Sequence, residues 1–195
     1  MARLGIAVFF FVFLFLLPGC EKSPEDARLK LGQLGIQYTE EAFVESVKNG
    51  DTVAVELFLV AGMNPNAKDD SGGTALIWAI ARGHTNIAHS LLKSGANVNA
   101  KNIKGYTALL AAAAKGDLVQ ALMDKGADVN AKNDDGWSPL MAAAEKGHTA
   151  MVKILPDRGA EMNARNKEGE TALSLARKKS HTEIVKLLKQ EGATE

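Results

Sequence analysis

The stretch that decides the fold is DDSGGTALIWAIARGHTNIAHSLLKSGANVNAK, residues 69–101, because the remainder of the chain repeats it with variations. The copies align on a hydroxyl residue that precedes an apolar pair, at anchors 33, 31 and 33 residues apart: Thr74, Thr107, Ser138 and Thr171. A weaker copy lies 33 residues upstream of the first anchor, with Glu41 at the anchor position. A period of this length predicts a solenoid of stacked units.

The pattern inside one period predicts two helices and a projecting turn. The hydroxyl of Thr74 can cap a helix that runs to about Arg82, and Gly83 suits the left-handed position just past its end. A second amphipathic segment ends at Gly95 and has apolar residues at helical spacing: Ile87, Ala88, Leu91 and Leu92. The polar residues 97–105 should form a β-turn that returns to the next unit. Each unit is therefore a helix, a tight turn, a second helix and a β-turn.

These motifs resemble the ankyrin repeat, with its TPLHxA box, GH turn and GA-x-VNA ending. Here they read TAL at 74–76, GH at 83–84 and GANVNA at 95–100, and Pro139 supplies the family proline once. The family histidine of the box is replaced in every aligned copy, by Ile77, Leu110, Met141 and Ser174. The resemblance implies an all-α ankyrin solenoid of about five units, at about 38–68, 69–101, 102–132, 133–165 and 166–195.

Repeats three and four depart from the pattern. The distance from Gly116 to Gly126 is two residues shorter than the equivalent distances in repeats two and four, and the simplest site for the loss is the turn between the helices. Pro156 lies in the second helix of repeat four, where we expect early termination. Asp51 and Asp117 can each cap a second helix. These departures predict a weak joint between repeats three and four.

Composition excludes a polyanion binder but identifies an unusual N-terminus. Lys+Arg and Asp+Glu both total 23, so no strong net charge favours nucleic acid. Residues 1–20, MARLGIAVFFFVFLFLLPGC, place one cation before an uncharged run and small residues after it, which is the layout of a signal peptide. The apolar run of about 14 residues is short against the ~20 that a membrane-spanning helix needs.

The end of this segment, LPGC at 17–20, resembles a bacterial lipobox, and Cys20 is the single cysteine of the chain. The resemblance implies a signal peptide at 1–19 and a diacylglycerol on Cys20, which anchors the protein to a membrane without a spanning helix. We expect a lipidated tether and N-capping helix at 20–37, starting near Ser23, followed by the repeat domain at 38–195. With Glu21 after the cysteine, the same resemblance implies the outer membrane of a bacterial cell envelope, facing the periplasm. An uncleaved anchor and an ordinary signal peptide remain alternatives.

No catalytic, cofactor or metal constellation stands out. His84, His148 and His181 recur at one register directly after the turn, which indicates a structural role in each repeat. The sequence has no phosphate-binding glycine loop and no nucleophile–base signature. The interpretation is a protein that is not an enzyme and has no small-molecule substrate.

The turn tips and first helices of ankyrin arrays form a concave groove, so the resemblance implies a partner-binding surface. The predicted partner-binding residues are Asp70, Ser71, Trp78, Ile103, Lys104, Tyr106, Asp134, Asp135, Trp137, Lys167, Glu168 and Glu170. Tyr106 and Trp137 hold the same position in adjacent repeats, and both residue types are common in interface hot spots. Alternatively, the three aromatic residues pack on neighbouring loops; for Trp78 semi-buried packing is the favoured interpretation.

Two functions fit this reading. The first is a membrane-anchored ankyrin lipoprotein that binds a protein partner through its concave face and turn tips. The second is a regulator, inhibitor or immunity factor for an exported enzyme or toxin, in which the acidic tips at 134–135 and 168–170 meet a basic partner.

Overall fold

The computed structural model describes residues 23–194. These residues form eleven helices: α1 Pro24–Gln33, α2 Glu40–Asn49, α3 Thr52–Val60, α4 Ala75–Arg82, α5 Thr85–Lys93, α6 Ala108–Lys115, α7 Val119–Asp124, α8 Pro139–Lys146, α9 Thr149–Asp157, α10 Ala172–Lys178 and α11 Thr182–Gln190. A single isolated β-bridge joins Lys68 to Thr74 in this part of the chain. The predicted all-α repeat solenoid is confirmed.

The helices stack as five pairs, which we number repeats one to five from α2–α3 to α10–α11. The first helices pack in one row, α2 on α4, α4 on α6, α6 on α8 and α8 on α10. In the row of second helices the substantial contacts join α3 to α5 and α9 to α11, whereas α7 packs mainly on its own partner α6. We call the contact between successive repeats a junction.

A helix outside the repeats covers repeat one. Ser23 caps α1 by accepting the N–H of Asp26 at 3.1 Å, as the sequence predicts. Ala27 and Leu31 are buried where α1 packs on α3. The opposite side of this helix faces solvent, with Leu29 64 % exposed. The helix α1 therefore covers the core of the solenoid at the repeat-one end.

The anchor residues cap the first helices from a buried position. The side-chain oxygens of Thr74, Thr107 and Ser138 accept the N–H three residues on, at 3.2, 3.2 and 3.3 Å. Thr171 does the same, and its own N–H donates to Ser174 Oγ at 2.8 Å, which forms a capping box. These bonds satisfy helix N–H groups that would otherwise be buried without a partner. The anchor hydroxyl is thus a structural requirement of every aligned repeat.

The repeated histidines link neighbouring repeats. Nε2 of His84, His148 and His181 lies 3.2, 3.0 and 3.0 Å from a main-chain carbonyl oxygen of the preceding repeat. A carbonyl oxygen only accepts hydrogen bonds, so the ring nitrogen donates. Each ring also covers the glycine that ends the preceding first helix; a methyl group on Gly116 would lie 2.7 Å from His148 Nδ1. We call this contact the histidine clamp, and it confirms the predicted structural role.

Asparagine side chains connect the second helices' ends across all four junctions. Oδ1 of Asn66, Asn99, Asn130 and Asn163 accepts an N–H from the following repeat, at 2.6, 2.8, 2.8 and 2.7 Å respectively. The amide nitrogens of Asn99 and Asn130 also donate to glycine carbonyls of the following repeat, both at 2.9 Å. In repeat two the ladder residue is Asn99 of the GANVNA stretch at 95–100, so this asparagine ties one unit to the next.

Repeat three is shortened in its second helix. α7 has six residues, against nine in α5 and α9. The turn before it, residues 116–118, is one residue longer than the turn at 83–84, so the prediction that the turn itself is shortened is wrong. Leu118 adopts a left-handed backbone conformation with φ of 54°, which a non-glycine residue in a helix cannot have. The helix therefore begins at Val119.

Asp117 does not cap α7, contrary to prediction. Leu118 stands between it and the helix and leaves the N-terminus without a side-chain cap. Among residues 23–194, Asp117 Oδ1 is one of two buried side-chain polar atoms without a hydrogen-bond partner. Asp51, which directly precedes α3, does cap it by accepting the N–H of Ala54 at 2.9 Å.

Pro156 does not terminate its helix early, so that prediction is also wrong. α9 continues to Asp157 and has the same length as α5. Pro156 lies one residue before the helix end, where a single backbone bond is lost, and the carbonyl of Leu155 accepts N–H groups from Arg158 and Ala160 at 3.1 Å each. Asp117 occupies the register of the clamp histidine, so the clamp is missing at junction two–three. The weak joint between repeats three and four stays a prediction.

Candidate functional site

A groove of about 600 Å³ runs along the concave face between the turn tips and the first helices of repeats two to four. Three aromatic residues form one part of its wall: Trp78, Tyr106 and Trp137. Four small residues from α4, α6 and α8 form its floor: Ala81, Ala111, Ala114 and Ala142. The remaining walls include Lys104, Lys115, Glu145 and Lys146. The groove is open to solvent.

Each turn tip is held by the residue five positions before the anchor. Oδ1 of Asn133 accepts two backbone N–H groups, from Asp135 at 3.0 Å and from Trp137 at 2.8 Å. Asp69, Asn102 and Asn166 make the same pair of bonds in their own tips. The tips therefore have defined shapes, which fixes the positions of the aromatic residues that they carry.

Backbone bonds tie each tip to the next. The N–H groups of Ile103, Asp134 and Lys167 donate to carbonyl oxygens of the preceding tip at 3.2, 3.1 and 2.9 Å. The acceptors are Ser71, Lys104 and Asp135. The tip row is thus continuous from repeat two to repeat five, and the wall of the groove is pre-organised.

Alanines at two register positions open the groove. One position lies seven residues after the anchor of the earlier repeat, and the other lies four residues after the anchor of the later repeat. At junction one–two these positions carry Lys48 and Trp78 respectively. At junctions two–three and three–four both positions are alanine, Ala81 with Ala111 and Ala114 with Ala142. Replacing a lysine and a tryptophan by two methyl groups removes the side chains that would otherwise fill the space between tip and helix.

Asp69 joins the two side chains that fill these positions at junction one–two. Its Oδ2 accepts a hydrogen bond from Trp78 Nε1 at 2.8 Å and lies 2.8 Å from Lys48 Nζ. The lysine also sits 4.8 Å from the centre of the Trp78 ring, as a cation–π contact. Burial alone would raise the pKa of Asp69, but hydrogen bonds from Lys48, Ser71 and the Gly73 N–H outweigh it and lower the pKa from 3.8 to about 2.

Gly73 has to be small because of Trp78. A methyl group on Gly73 would lie 2.5 Å from Trp78 Nε1, and its backbone is not in the left-handed region. The equivalent tip position holds Tyr106 in repeat three and Trp137 in repeat four. The aromatic ring therefore comes from the helix in repeat two and from the tip in the next two repeats, so that all three rings reach the same groove.

The described charges on the groove wall are mostly positive. Lys104 and Lys115 have exposed side chains, and Lys146 pairs with Glu145 at 3.3 Å. Glu145 is also 3.4 Å from Lys179 of repeat five. The single acidic wall residue is thus shared between two cations, and the wall favours a ligand with negative charge.

The groove brings together four of the predicted partner-binding residues and leaves the others outside. Trp78, Lys104, Tyr106 and Trp137 line it, and Trp78 is half-buried as favoured from the sequence. The remaining eight lie on the tips away from the groove: Asp70, Ser71, Ile103, Asp134, Asp135, Lys167, Glu168 and Glu170. Ser71 bonds Asp69 at 2.6 Å, and Glu170 pairs with Lys178 at 2.8 Å. Hydrogen bonds from Lys178 and Asn166 lower the pKa of Glu170.

The sequence analysis did not identify the alanine floor of the groove or the role of Asp69 at junction one–two. The floor consists of four alanines. That they open a groove becomes clear only by comparison with the larger side chains at the same register, in repeats one and two. The four are Ala81, Ala111, Ala114 and Ala142. Asp69 differs from the three asparagines at its register by one carboxylate oxygen, which is the signal that could have identified its pairing with Lys48.

Residues 23–194 show no cluster of three or more His, Cys, Asp or Glu side chains that could hold a metal ion. Within the same range, none of the helices combines the length and the apolar character needed to cross a bilayer. The predicted lipidation site, Cys20, lies outside the described residues.

One family model matches the chain, described as ankyrin repeats in three copies. Its matches cover residues 9–102, 43–133 and 109–194. No curated protein matches the chain.

Proposed function

The chain belongs to the ankyrin repeat family, and from that premise we propose that it binds a protein partner through the groove between the tips and first helices of repeats two to four. Ankyrin repeat proteins are generally non-enzymatic interaction scaffolds. The observation that supports this site is the coincidence of three aromatic side chains with an alanine floor in one open groove. Aromatic anchors in a desolvated pocket can each contribute about 2 kcal/mol or more to binding.

The rigidity of the groove supports docking without rearrangement. The tips are held by paired bonds to Asn102 and Asn133 and by the tip-to-tip backbone bonds. A pre-organised surface loses little conformational freedom on binding, which favours affinity. The exposed 39 % of Tyr106 gives a partner direct access to one aromatic ring.

We also propose that the repeats are held at a membrane of the bacterial envelope by lipid on Cys20, facing the periplasm. The support is the signal-like segment at 1–19 and the lipobox-like LPGC at 17–20. With α1 beginning at Pro24, three residues separate Cys20 from the first described helix. Such a short tether would keep repeat one near the membrane surface. Cys20→Ser should abolish incorporation of an alkyne-labelled fatty acid and release the protein from membranes; unchanged labelling contradicts the anchor.

The partner-binding proposal is tested by photo-crosslinking in cells that express the intact chain. A photoreactive amino acid replaces Tyr106 in the groove or, as the matched control, His89 on the exposed side of α5. We expect a discrete crosslinked protein from position 106 and none from position 89. Equal crosslinking from both positions, or none from the groove, would contradict the proposal. Mass spectrometry of the product also decides whether the partner is an exported enzyme or toxin, as the regulatory alternative requires.

A further inference from the structure

We infer that the occupant of the groove is an acidic, extended peptide segment of the partner that inserts one large apolar side chain between Trp78, Tyr106 and Trp137. This inference rests on the proposed function and specifies the chemistry of the partner. Three features support it: one buried hydrogen-bond donor without a partner in a groove tip, cationic walls and an apolar floor.

The donor is Asn133 Nδ2, at the register where repeat two carries Asp69 Oδ2. Asp69 Oδ2 is bonded by Lys48 and Trp78 at junction one–two. At junction three–four the corresponding atom is Asn133 Nδ2, and the residues at the two partner positions are Ala114 and Ala142, which cannot form hydrogen bonds through their side chains.

Asn133 is 5 % exposed, and its Nδ2 is a buried atom with no hydrogen-bond partner in the described chain. An unpaired buried donor is unfavourable, because its desolvation is not offset by a hydrogen bond. The equivalent side chain at junction two–three, Asn102, lies on the groove wall itself. A ligand that presents an oxygen acceptor beside Ala114 and Ala142 would satisfy the Asn133 donor.

The walls add positive charge to this requirement. Lys104 projects from a tip, and Lys115 and Lys146 lie at the ends of α6 and α8 on the opposite wall. The acid on the wall, Glu145, already pairs with Lys146 and Lys179. The amide donor of Asn133 and the cations of the walls together favour carboxylates over ammonium or guanidinium groups.

The apolar surface distinguishes a peptide from other anions. The floor alanines and the three aromatic rings form a depression that a Trp, Phe or Leu side chain can fill. A single-stranded nucleic acid also combines negative charge with stacking bases, and it is the competing occupant. The formal net charge of the whole chain is zero, without the strong basic excess typical of nucleic-acid binders. The peptide is therefore the occupant that we propose.

The test is selection of random 12-residue peptides on the immobilised full-length chain. Groove-dependent peptides are those that no longer bind Ala111→Trp, in which an indole fills the floor. We expect these peptides to be enriched in Asp and Glu around at least one Trp, Phe or Leu. We also expect poly(dT) not to compete with them. Groove-dependent peptides that are basic or neutral, or displacement by poly(dT), would overturn this inference and leave the proposed function intact. An absence of groove-dependent peptides would count against both.

Charge variants then test the recognition chemistry on a selected peptide. The triple variant Lys104→Glu, Lys115→Glu and Lys146→Glu should weaken binding at least tenfold. The matched control, Lys93→Glu, Lys125→Glu and Lys186→Glu, reverses three exposed lysines on or next to the second helices and should change the affinity less than twofold.

A second variant isolates the buried donor. Asn133→Asp keeps the oxygen that holds the tip, as Asp69 does in repeat two, but replaces the donor by an acceptor; we expect at least tenfold weaker binding. Circular dichroism checks that each variant is folded. Equal affinity of the groove and control charge variants, or unchanged affinity in folded Asn133→Asp, would contradict the inference.

Discussion

Junctions two–three and three–four share their ladder contacts and differ in their clamp. At both, an asparagine connects the ends of the second helices, with bonds of 2.8 Å from Asn99 and Asn130 to the next repeat. At junction three–four, His148 covers Gly116 and bonds the Ala114 carbonyl. At junction two–three the same register holds Asp117, and a methyl group added to Gly83 would meet no atom within 4 Å. The histidine register is thus occupied by an aspartate at the junction that lacks the clamp, while the first helices still stack in one row.

The comparison shows that the periodic residues fall into two classes. The first class comprises the ladder asparagines and the capping hydroxyls, which are present in every aligned repeat. The clamp and the positions that flank the tips vary, and their variation determines where the solenoid is loosely joined and where its concave face is open. Repeat three combines both effects, since it lacks the clamp and contributes Ala111 and Ala114 to the groove floor.

The largest expected effect is the loss of an existing clamp. His148→Ala removes a ring that packs over Gly116 and leaves the Ala114 carbonyl without its side-chain donor, so we expect the free energy of unfolding to fall by about 2 kcal/mol. The matched variant Asp117→Ala, at the register that has no clamp, should change it by less than about 0.5 kcal/mol. Urea unfolding of both variants measures the difference. If Asp117→Ala lost more free energy of unfolding than His148→Ala, the result would contradict the stabilising role of the clamp.

The next effect concerns junction one–two, where the flanking positions are filled. Asp69→Asn keeps the tip but loses the ion pair with Lys48, so we expect a loss of about 1–2 kcal/mol at pH 7 after allowance for solvent screening. Because the folded pKa of Asp69 is lowered from 3.8 to about 2, this stabilisation is present above about pH 4 and is lost as the pH falls towards 2.

The check is the unfolding free energy of both proteins between pH 2 and pH 7. The difference between wild type and Asp69→Asn should shrink as the pH falls. A difference that stays constant over this range would show that the charge of Asp69 does not stabilise the fold.

A smaller and equal effect is expected from the ladder at both junctions. Asn99→Ala and Asn130→Ala each remove two bonds at exposed positions, for about 1 kcal/mol apiece. Thermal denaturation of the two variants should give Tm values lowered by the same amount. Unequal losses would mean that the junctions differ in more than the clamp.

The smallest effect is expected at Pro156. If this residue were the weak point of repeat four, Pro156→Ala would raise stability strongly. Because α9 already extends past it to Asp157, we expect a gain of no more than about 0.5 kcal/mol, with the regained N–H bond offset by the greater freedom of the unfolded chain. A gain of about 2 kcal/mol in the free energy of unfolding by urea would show that Pro156 destabilises repeat four.

Local signals in the sequence were sufficient for the fold. Each of these signals acts within a few residues, so it can be interpreted without knowing which repeat packs next to it. Examples are the cap at Thr74, the left-handed helix end at Gly83 and the amphipathic spacing of residues 87–91. The same holds for Asp51, which caps the helix that directly follows it.

The groove could be predicted only in outline, because it depends on contacts between repeats. The tip aromatics Tyr106 and Trp137 were identifiable from their shared register. The pairing of Asp69 with Lys48, 21 residues away in the chain, was not. Similarly, Asp117 satisfies the local pattern of a cap, but the left-handed Leu118 separates it from α7, and that conformation has no clear sequence signature.

The most direct test of the account is to fill the groove in the intact protein and measure partner capture. Ala111→Trp places an indole at the register where repeat two carries Trp78; the control Ala150→Trp adds the same group to an exposed position on α9. With the photoreactive residue at position 106, we expect Ala111→Trp to abolish the crosslinked product and Ala150→Trp to preserve it. A full yield of product from folded Ala111→Trp would show that the partner docks elsewhere.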